Sequence, residues 1–202
     1  MAETLTAEAI LAATEEVLRR YGPAKATVVD VAKALGVSHG SVYRHFPTKA
    51  ALREAVTRRW LDDIHAHMAP AFDQGRTTAE VLRDWLQRLF DRKRRSHSED
   101  LELFTTFKVL VAESSVVSAY HLECLVGQLT SIIAAGVETH EFVTDDVEST
   151  AQAVWDATLM FHHPAHAQEW GNPHVQEQFD AVVSLVVDGL RYNRVPSGTG
   201  DA

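Results

Sequence analysis

Cysteine is almost absent from this chain. Cys124 is the only one among 202 residues, so no internal disulfide can form, and the sequence suits a reducing compartment. Proline and glycine are also sparse, with six and ten residues, while 46% of the residues are hydrophobic. This composition favours a folded, helix-rich protein over a disordered one.

Long apolar runs and export signals are missing as well. No segment approaches the ~20 apolar residues that a membrane span needs. The N-terminal sequence MAETLTAEAIL has neither the basic stretch nor the apolar core of a secretory signal. We therefore expect a cytoplasmic protein that has no membrane partner.

Common catalytic motifs are absent too. There is no Gly-rich phosphate loop after a strand, no H-E-x-x-H and no G-x-S-x-G. We expect no enzymatic activity and no cofactor. An enzyme remains open only as a metallohydrolase built on the segment that holds His162, His163, His166 and His174. Because Pro164 lies within that segment and no cysteine is near, we expect a histidine-rich loop without a metal.

Charge is distributed unevenly along the chain. Residues 1–60 carry nine Lys or Arg against six Asp or Glu, whereas the whole chain has a net charge of −9. Between Ser96 and Leu190 a single cation, Lys108, stands against fifteen acids. A basic N-terminal region could approach a polyanion while the acidic remainder is oriented away from it.

Apolar residues recur at helical spacing over most of the sequence, and no segment reads as a strand. We expect an all-α protein of about nine helices, in which an N-terminal three-helix domain is joined by a long helix to a larger C-terminal helical domain. The expected domains are 1–48 and 49–195, with a flexible tail at 196–202. The expected breaks are Gly22-Pro23, Gly36, Pro47, Pro70, the charged segment 91–100, Asp145 and Asn172-Pro173.

The second and third helices predict a helix-turn-helix. Thr27 and Asp30 form the pattern of a capping box, and Ser38 can cap the helix His39–Phe46. Gly36 lies in the three-residue turn, where a left-handed backbone is needed. In this motif the second helix enters the DNA major groove. The residues that we expect to contact DNA are Thr27, Ser38, His39, Gly40, Ser41, Tyr43, Arg44, His45 and Lys49.

At these residues the sequence resembles the tetracycline-repressor-like (TetR) family of transcription regulators. The resemblance is carried by ATVVDVAKALGVSHGSVYRHFPTKAALREAV, residues 26–56, and covers about the first 60 residues. It implies a homodimer that binds a palindromic double-stranded DNA operator, and repression that a small-molecule effector relieves. A constitutive architectural DNA-binding protein without an effector is the remaining alternative.

The C-terminal two thirds give weaker signals. An apolar pocket among helices is where such a domain would bind a hydrophobic effector, and the two last apolar helices are the natural dimer interface. Cys124, among leucines, is expected to be a buried small hydrophobe. The candidate pocket residues are Trp85, Phe104, Phe107, Trp155, Met160 and Phe161, and the candidate dimer contacts are Trp155, Val183 and Val187.

Overall fold

The computed structural model describes residues 5–72, 75–99 and 101–192, apart from the side chains of residues 99 and 101–103. Within this part of the chain every regular element is helical, which confirms the all-α expectation. Short 3-10 turns at Pro164–His166 and Glu169–Gly171 separate the last two α-helices. The α-helices are α1 (Ala7–Lys25), α2 (Val28–Leu35), α3 (His39–His45), α4 (Lys49–Met68), α5 (Thr78–Glu99), α6 (Leu101–Glu113), α7 (Ser115–Glu138), α8 (Val147–Ala157), α9 (Leu159–His162) and α10 (Val175–Tyr192).

The chain forms two compact units. Unit one comprises Met1–His67 and Ser96–His121, and unit two comprises Met68–Arg95 and Leu122–Ala202. Unit one therefore includes α6 as well as the N-terminal helices. The expected division at residues 48 and 49 stays a prediction, and the expected tail at 196–202 lies outside the described residues.

Unit one begins as its sequence predicts. The Thr6 side chain caps α1 by accepting a hydrogen bond from the Ala9 amide at 3.2 Å. Gly22, with φ of 71°, interrupts α1 at the predicted break. The helices pack around a core that includes Ile10, Val31 and Val42, and Leu110 of α6 joins it from far along the chain. Each such side chain contributes about 1.5–3 kcal/mol on burial.

The turn between α2 and α3 also follows its predicted chemistry. Thr27 and Asp30 close a reciprocal capping box at the start of α2. Gly36 ends α2 in the left-handed conformation, with φ of 67°. The Val37 amide donates back to the Ala32 carbonyl at 3.0 Å, so the last carbonyls of α2 are satisfied before the chain enters α3.

Helix α5 of unit two extends further than expected. Its N-terminus has a capping box, since the Thr77 amide donates to Glu80 at 2.8 Å and the Glu80 amide donates to the Thr77 hydroxyl at 3.2 Å. The expected break at residues 91–100 is wrong in its position, because α5 continues to Glu99. Arg92 to Arg95 therefore lie on a helix, where long basic side chains are good helix formers.

The core of unit two is aromatic. Phe90 of α5 lies 5.4 Å from Phe161 and 5.0 Å from Phe179, measured between ring centroids, and the latter two rings are 5.2 Å apart. Trp85 is fully buried, and its indole N–H donates to the Gln128 side-chain oxygen at 2.9 Å. Such edge-to-face and offset contacts add to the burial of apolar area.

Two predicted helix starts in unit two are displaced. Asp146, not Asp145, caps α8, by accepting from the Ser149 amide at 3.0 Å. Thr158 then separates α8 from α9, where one helix was expected. Asn172 accepts from the His174 amide at 2.9 Å, so this Asn-Pro segment forms a turn and α10 begins later, at Val175.

Helix α7 is long and apolar enough, by length and composition alone, to cross a membrane. The sequence analysis expected no segment to approach the length and hydrophobicity of a membrane span, and α7 differs from that expectation. Several of its residues, including Leu125, Leu129 and Ile132, are nevertheless fully buried in the fold. Only 28% of its most apolar window is buried, however, so α7 also presents apolar residues such as Val116 and Leu122 on its surface.

Candidate nucleic-acid interface

Helix α3 is held by one buried side chain and exposes most of the others. Val42 is 0% exposed and anchors the helix in the core of unit one. Ser38 caps its N-terminus by accepting from the Ser41 amide at 3.2 Å. The predicted DNA-contacting residues on and beside this helix are therefore presented to solvent. The exposed ones are Ser38, His39, Gly40, Tyr43, Arg44, His45 and Lys49, and Ser41 is half-buried.

A hydrogen-bonded chain orders the polar side chains of α3. Ser38 Oγ and Ser41 Oγ lie 3.0 Å apart, and Arg44 Nη2 donates to Ser41 Oγ at 3.2 Å. When Ser41 donates its proton to Ser38, the Ser38 hydroxyl keeps its own proton for another acceptor. A phosphate oxygen is an acceptor of this kind. Arg44 is held along the helix, with its remaining N–H donors available to a base edge or a phosphate.

Gly40 has no structural reason to be glycine. Its φ is not in the left-handed region, and a Cβ built there would meet only Ser38 Oγ, at 3.8 Å. Glycine within a helix costs about 0.5–1 kcal/mol relative to alanine. The fold therefore accepts this cost without any gain in packing, and the absent side chain leaves the α3 backbone open to the close approach of another molecule.

The side chain of Thr27 is already engaged. Its hydroxyl donates to Asp30 Oδ2 at 2.5 Å and accepts from the Asp30 amide at 3.2 Å. A phosphate oxygen can only accept a hydrogen bond, so a phosphate contact by Thr27, which stays a prediction, requires the bond to Asp30 to break. Thr27 does line one shallow crevice together with Lys49, Leu52 and Arg53. The predicted contacts that flank α3 are thus near neighbours on the surface.

Lys49 and Tyr43 complete the exposed set. Lys49 is the first residue of α4, whose N-terminus is capped by Thr48; Thr48 Oγ1 accepts from the Ala51 amide at 2.9 Å. Tyr43 is 40% exposed and meets His39 edge-to-face, with ring centroids 6.4 Å apart. The phenol hydroxyl and the Lys49 ammonium are both donors that suit phosphate oxygens.

Arg53 supports this interface, and sequence reasoning missed it. Its guanidinium donates to the Pro23 carbonyl and, at 2.8 Å, to Glu113 of α6. The side chain therefore links the N-terminal part of α4 to the end of α1 and to α6. Glu113 lies 60 positions away in sequence, and no local pattern indicates such a pair.

The comparisons with known proteins agree with this geometry. Residues 10–56 match a family model described as bacterial regulatory proteins, tetR family, and residues 78–183 match one described as Tetracyclin repressor-like, C-terminal domain. The second match covers more than half of the chain. The chain belongs to the TetR family. It is accordingly a DNA-binding transcription regulator, as the predicted helix-turn-helix indicates.

Relatives within the TetR family cover most of the chain. The HTH-type transcriptional repressor KstR2 of Rhodococcus jostii is 28% identical over 170 residues, which are 81% of this chain and 80% of that protein. The structure of SmeT, the repressor of a Stenotrophomonas maltophilia multidrug efflux pump, superposes with a TM-score of 0.66 at 17% identity, covering 98% and 97% of the two chains. The repressor FadR of Thermus thermophilus, in complex with lauroyl-CoA, gives 0.62 at 22% identity, covering 96% and 100%.

The predicted effector-pocket residues fall in both units. Trp85, Trp155, Met160 and Phe161 lie in unit two, and Phe104 and Phe107 lie in unit one. Near Phe161, a crevice lined by Leu86, Phe90, His162 and Phe179 among others is too small for a water molecule. In unit one, Phe104 stacks on His97 at 5.2 Å and Phe107 meets Trp60 at 6.5 Å, measured between ring centroids. The role of these residues in effector binding stays a prediction.

The predicted dimer contacts all lie in unit two but differ in burial. Val183 and Val187 are 2% and 0% exposed within their own chain, so they fill the core of unit two and are not available to a partner. Trp155 is half-buried and stacks against His162, with ring centroids 3.9 Å apart. On α10, the side away from Val183 and Val187 is exposed to solvent, and Leu185 on that side is 74% exposed.

The histidine-rich segment forms a loop, as expected. Helix α9 ends at His162, and Pro164 begins a 3-10 turn. Within the described part of the chain, no group of three or more His, Cys, Asp or Glu side chains is placed to hold a metal ion. Cys124 is half-buried and carries a free thiol.

Proposed function

We propose that this chain binds a palindromic operator as a homodimer in the cytoplasm, with α3 of each subunit in the major groove, and that a small hydrophobic effector releases it. The observation that carries the proposal is α3 itself, where one valine is buried and the polar side chains around it are exposed. In a helix-turn-helix this is the helix that reads base edges.

The residues of α3 and its flanks take different roles in this proposal. Arg44 is suited to bidentate contact with guanine, because its side chain is exposed in the last turn of the reading helix. His39 and Ser41 face the same groove, and Gly40 lets the backbone come close to it. Ser38, Tyr43, His45 and Lys49 bind phosphates and fix the position of α3 on the duplex.

Dimerisation is proposed because one reading helix covers only one half-site, and two half-sites lie about one helical turn or more apart. The exposed face of α10 supports this step. Leu185 and Gly189 are exposed there, and the half-buried Val182 and Val186 flank them at helical spacing, whereas Val183 and Val187 are buried. An apolar stripe on both sides of one helix indicates that a second partner covers the outer side.

An effector acts in this proposal by favouring a conformation that fits the operator poorly. Helices α3 and α4 share one core through Val42, Leu52 and Val56, so a displacement of α4 carries the reading helix with it. About 100-fold release requires that the effector bind the unfavourable conformation about 2.7 kcal/mol more tightly. The lauroyl-CoA complex of the Thermus FadR supports a hydrophobic ligand in this fold.

The proposal is tested by selecting bound sequences from random double-stranded DNA with the wild-type protein. We expect an inverted repeat, and we expect Arg44→Ala to lose preference at one symmetric base pair, at a cost of about 1–3 kcal/mol. A panel of hydrophobic small molecules is then titrated against the selected complex. Enrichment without any sequence preference, or a selected site without inverted symmetry, would contradict the proposed mode of binding.

A further inference from the structure

Ser41 differs from the other polar side chains of α3 in its surroundings. It is half-buried, whereas the polar side chains before and after it on the helix are exposed. Its hydroxyl lies 3.0 Å from Ser38 Oγ and 3.2 Å from Arg44 Nη2. The Ser41 hydroxyl is therefore engaged by two side chains of its own helix before any other molecule approaches.

The direction of these hydrogen bonds follows from the guanidinium. Arg44 can only donate, so Ser41 Oγ accepts from it. A hydroxyl that accepts from a charged donor becomes a stronger donor itself, which favours donation of the Ser41 proton to Ser38 Oγ. The Ser41 amide donates to the same Ser38 oxygen at 3.2 Å. The N-cap of α3 thus fixes the hydroxyl that receives the arginine.

The contact with Ser41 changes where the charge of Arg44 lies along α3. Arg44 belongs to the last turn of the helix His39–His45, whereas a helix-turn-helix contacts base edges with the N-terminal residues of its second helix. Ser41 precedes Arg44 by three residues, or about 4.5 Å along the helix axis. The bond to Ser41 therefore holds the guanidinium over the N-terminal half of α3, which is the half that reads bases.

Arg44 keeps its capacity for recognition in this position. The bond to Ser41 uses one of the five N–H donors of a guanidinium. Nη2 retains its second N–H, which forms a parallel pair with Nε or Nη1, and guanine O6 and N7 accept such a pair. A long arginine side chain loses rotamer freedom when it binds. A contact that is already made in the free protein removes part of that cost beforehand.

We propose that Ser41 is a positioning residue for DNA recognition. It holds the Arg44 guanidinium against a base edge, and so sets the preference at one symmetric base pair of the operator without reading a base itself. This role rests on the proposed placement of α3 in the major groove, whereas the contact between Ser41 and Arg44 does not.

The proposal is tested with a double-mutant cycle on the full chain. The DNA is the sequence that the wild type selects from random duplexes, together with its three substitutions at the base pair where Arg44→Ala loses preference. Ser41→Ala should lower the preference at that same base pair about 2- to 13-fold, as expected for one hydrogen bond. In an Arg44→Ala background it should change the preference no further. Ser41→Thr, which keeps the hydroxyl, should retain the preference.

The ratio between base pairs separates positioning from stability. A variant that only weakens the fold loses affinity for all four sequences by the same factor. Ser131→Ala is the matched control, because it removes another helical serine hydroxyl, which donates to the Gly127 carbonyl at 3.0 Å on α7. It should leave the ratio unchanged. An unchanged ratio in Ser41→Ala, a loss at a different base pair, or an equal loss in the Arg44→Ala background would overturn the proposal.

The free protein provides a test that does not depend on DNA. NMR relaxation of the Arg44 Nε–Hε group should show restricted fast motion in the wild type and in Ser131→Ala, and greater motion in Ser41→Ala. Equal motion in the wild type and Ser41→Ala would overturn the positioning role. Failure of the wild type to select any operator would overturn the proposed function instead, whatever the relaxation shows.

Discussion

Gly40→Ala should change stability and DNA binding in opposite directions. In the free protein the new methyl group meets only Ser38 Oγ, at 3.8 Å, which is an ordinary contact. Alanine is the better helix former, so the variant should be more stable by about 0.5–1 kcal/mol. In the complex the same methyl group would stand between the α3 backbone and DNA. Overpacking of that kind costs about 1–3 kcal/mol, which is roughly 5- to 160-fold in affinity.

Urea unfolding followed by circular dichroism should show a midpoint raised by about 0.3 M, and fluorescence anisotropy should show the loss of operator affinity. Gly127→Ala is the matched control, since Gly127 lies on α7 and a Cβ there meets nothing within 4 Å. It should be stabilised similarly and should bind the operator as the wild type does. Wild-type operator affinity in Gly40→Ala would refute the placement of this backbone against DNA, and a lower midpoint would refute the argument about the fold.

Three further predictions follow from unit two. The pKa of His162 in the folded protein, about 3, lies below its ordinary value of 6.5, so the stability that comes from the neutral buried ring is present above pH 6.5 and is lost as the pH falls toward 3. From pH 7 to pH 5 the free energy of unfolding should fall by about 2 kcal/mol. Urea unfolding of His162→Gln should show a correspondingly smaller loss. Glu141→Ala should lower the unfolding midpoint by an amount equivalent to about 1–2 kcal/mol. The Glu141 carboxylate accepts hydrogen bonds from the Thr78 and Ala79 amides at the N-terminus of α5, at 3.1 and 2.9 Å. An unchanged midpoint would contradict that role. Leu185→Glu should give a monomer near 22.4 kDa in sedimentation experiments. Val116→Glu, at another exposed apolar residue, should remain a dimer, and a dimeric Leu185→Glu would argue against α10 as the interface.

The helix-turn-helix could be predicted because its signals are local. A capping box at Thr27, a left-handed glycine at Gly36 and a capping serine at Ser38 act within three or four residues, and the structure shows each of them in place. The spacing of apolar residues in α2 and α3 then fixes which face of each helix packs into the core, and Val42 lies on that face of α3. Short-range hydrogen bonding and helix periodicity were sufficient for this part.

The features that sequence reasoning missed depend on contacts between distant residues. Arg53 pairs with Glu113 across 60 positions, and Glu141 accepts from the Thr78 and Ala79 amides across 63 and 62 positions. The charged end of α5 stays helical because Lys and Arg are good helix formers, although the run of charge suggested a break. The side of α10 that fills the core could not be chosen either, since Val182, Val183, Val186 and Val187 are all apolar.

The salt dependence of operator affinity for the wild type and for Lys49→Ala tests the central claim most directly. If Lys49 binds a phosphate beside α3, its removal should weaken binding to all sequences and reduce the slope of log affinity against log salt by about 0.9. Lys108→Ala, which removes an exposed lysine of α6, should leave both the slope and the affinity unchanged. A wild-type slope and affinity in Lys49→Ala would contradict the placement of this end of α4, and of α3 beside it, on DNA.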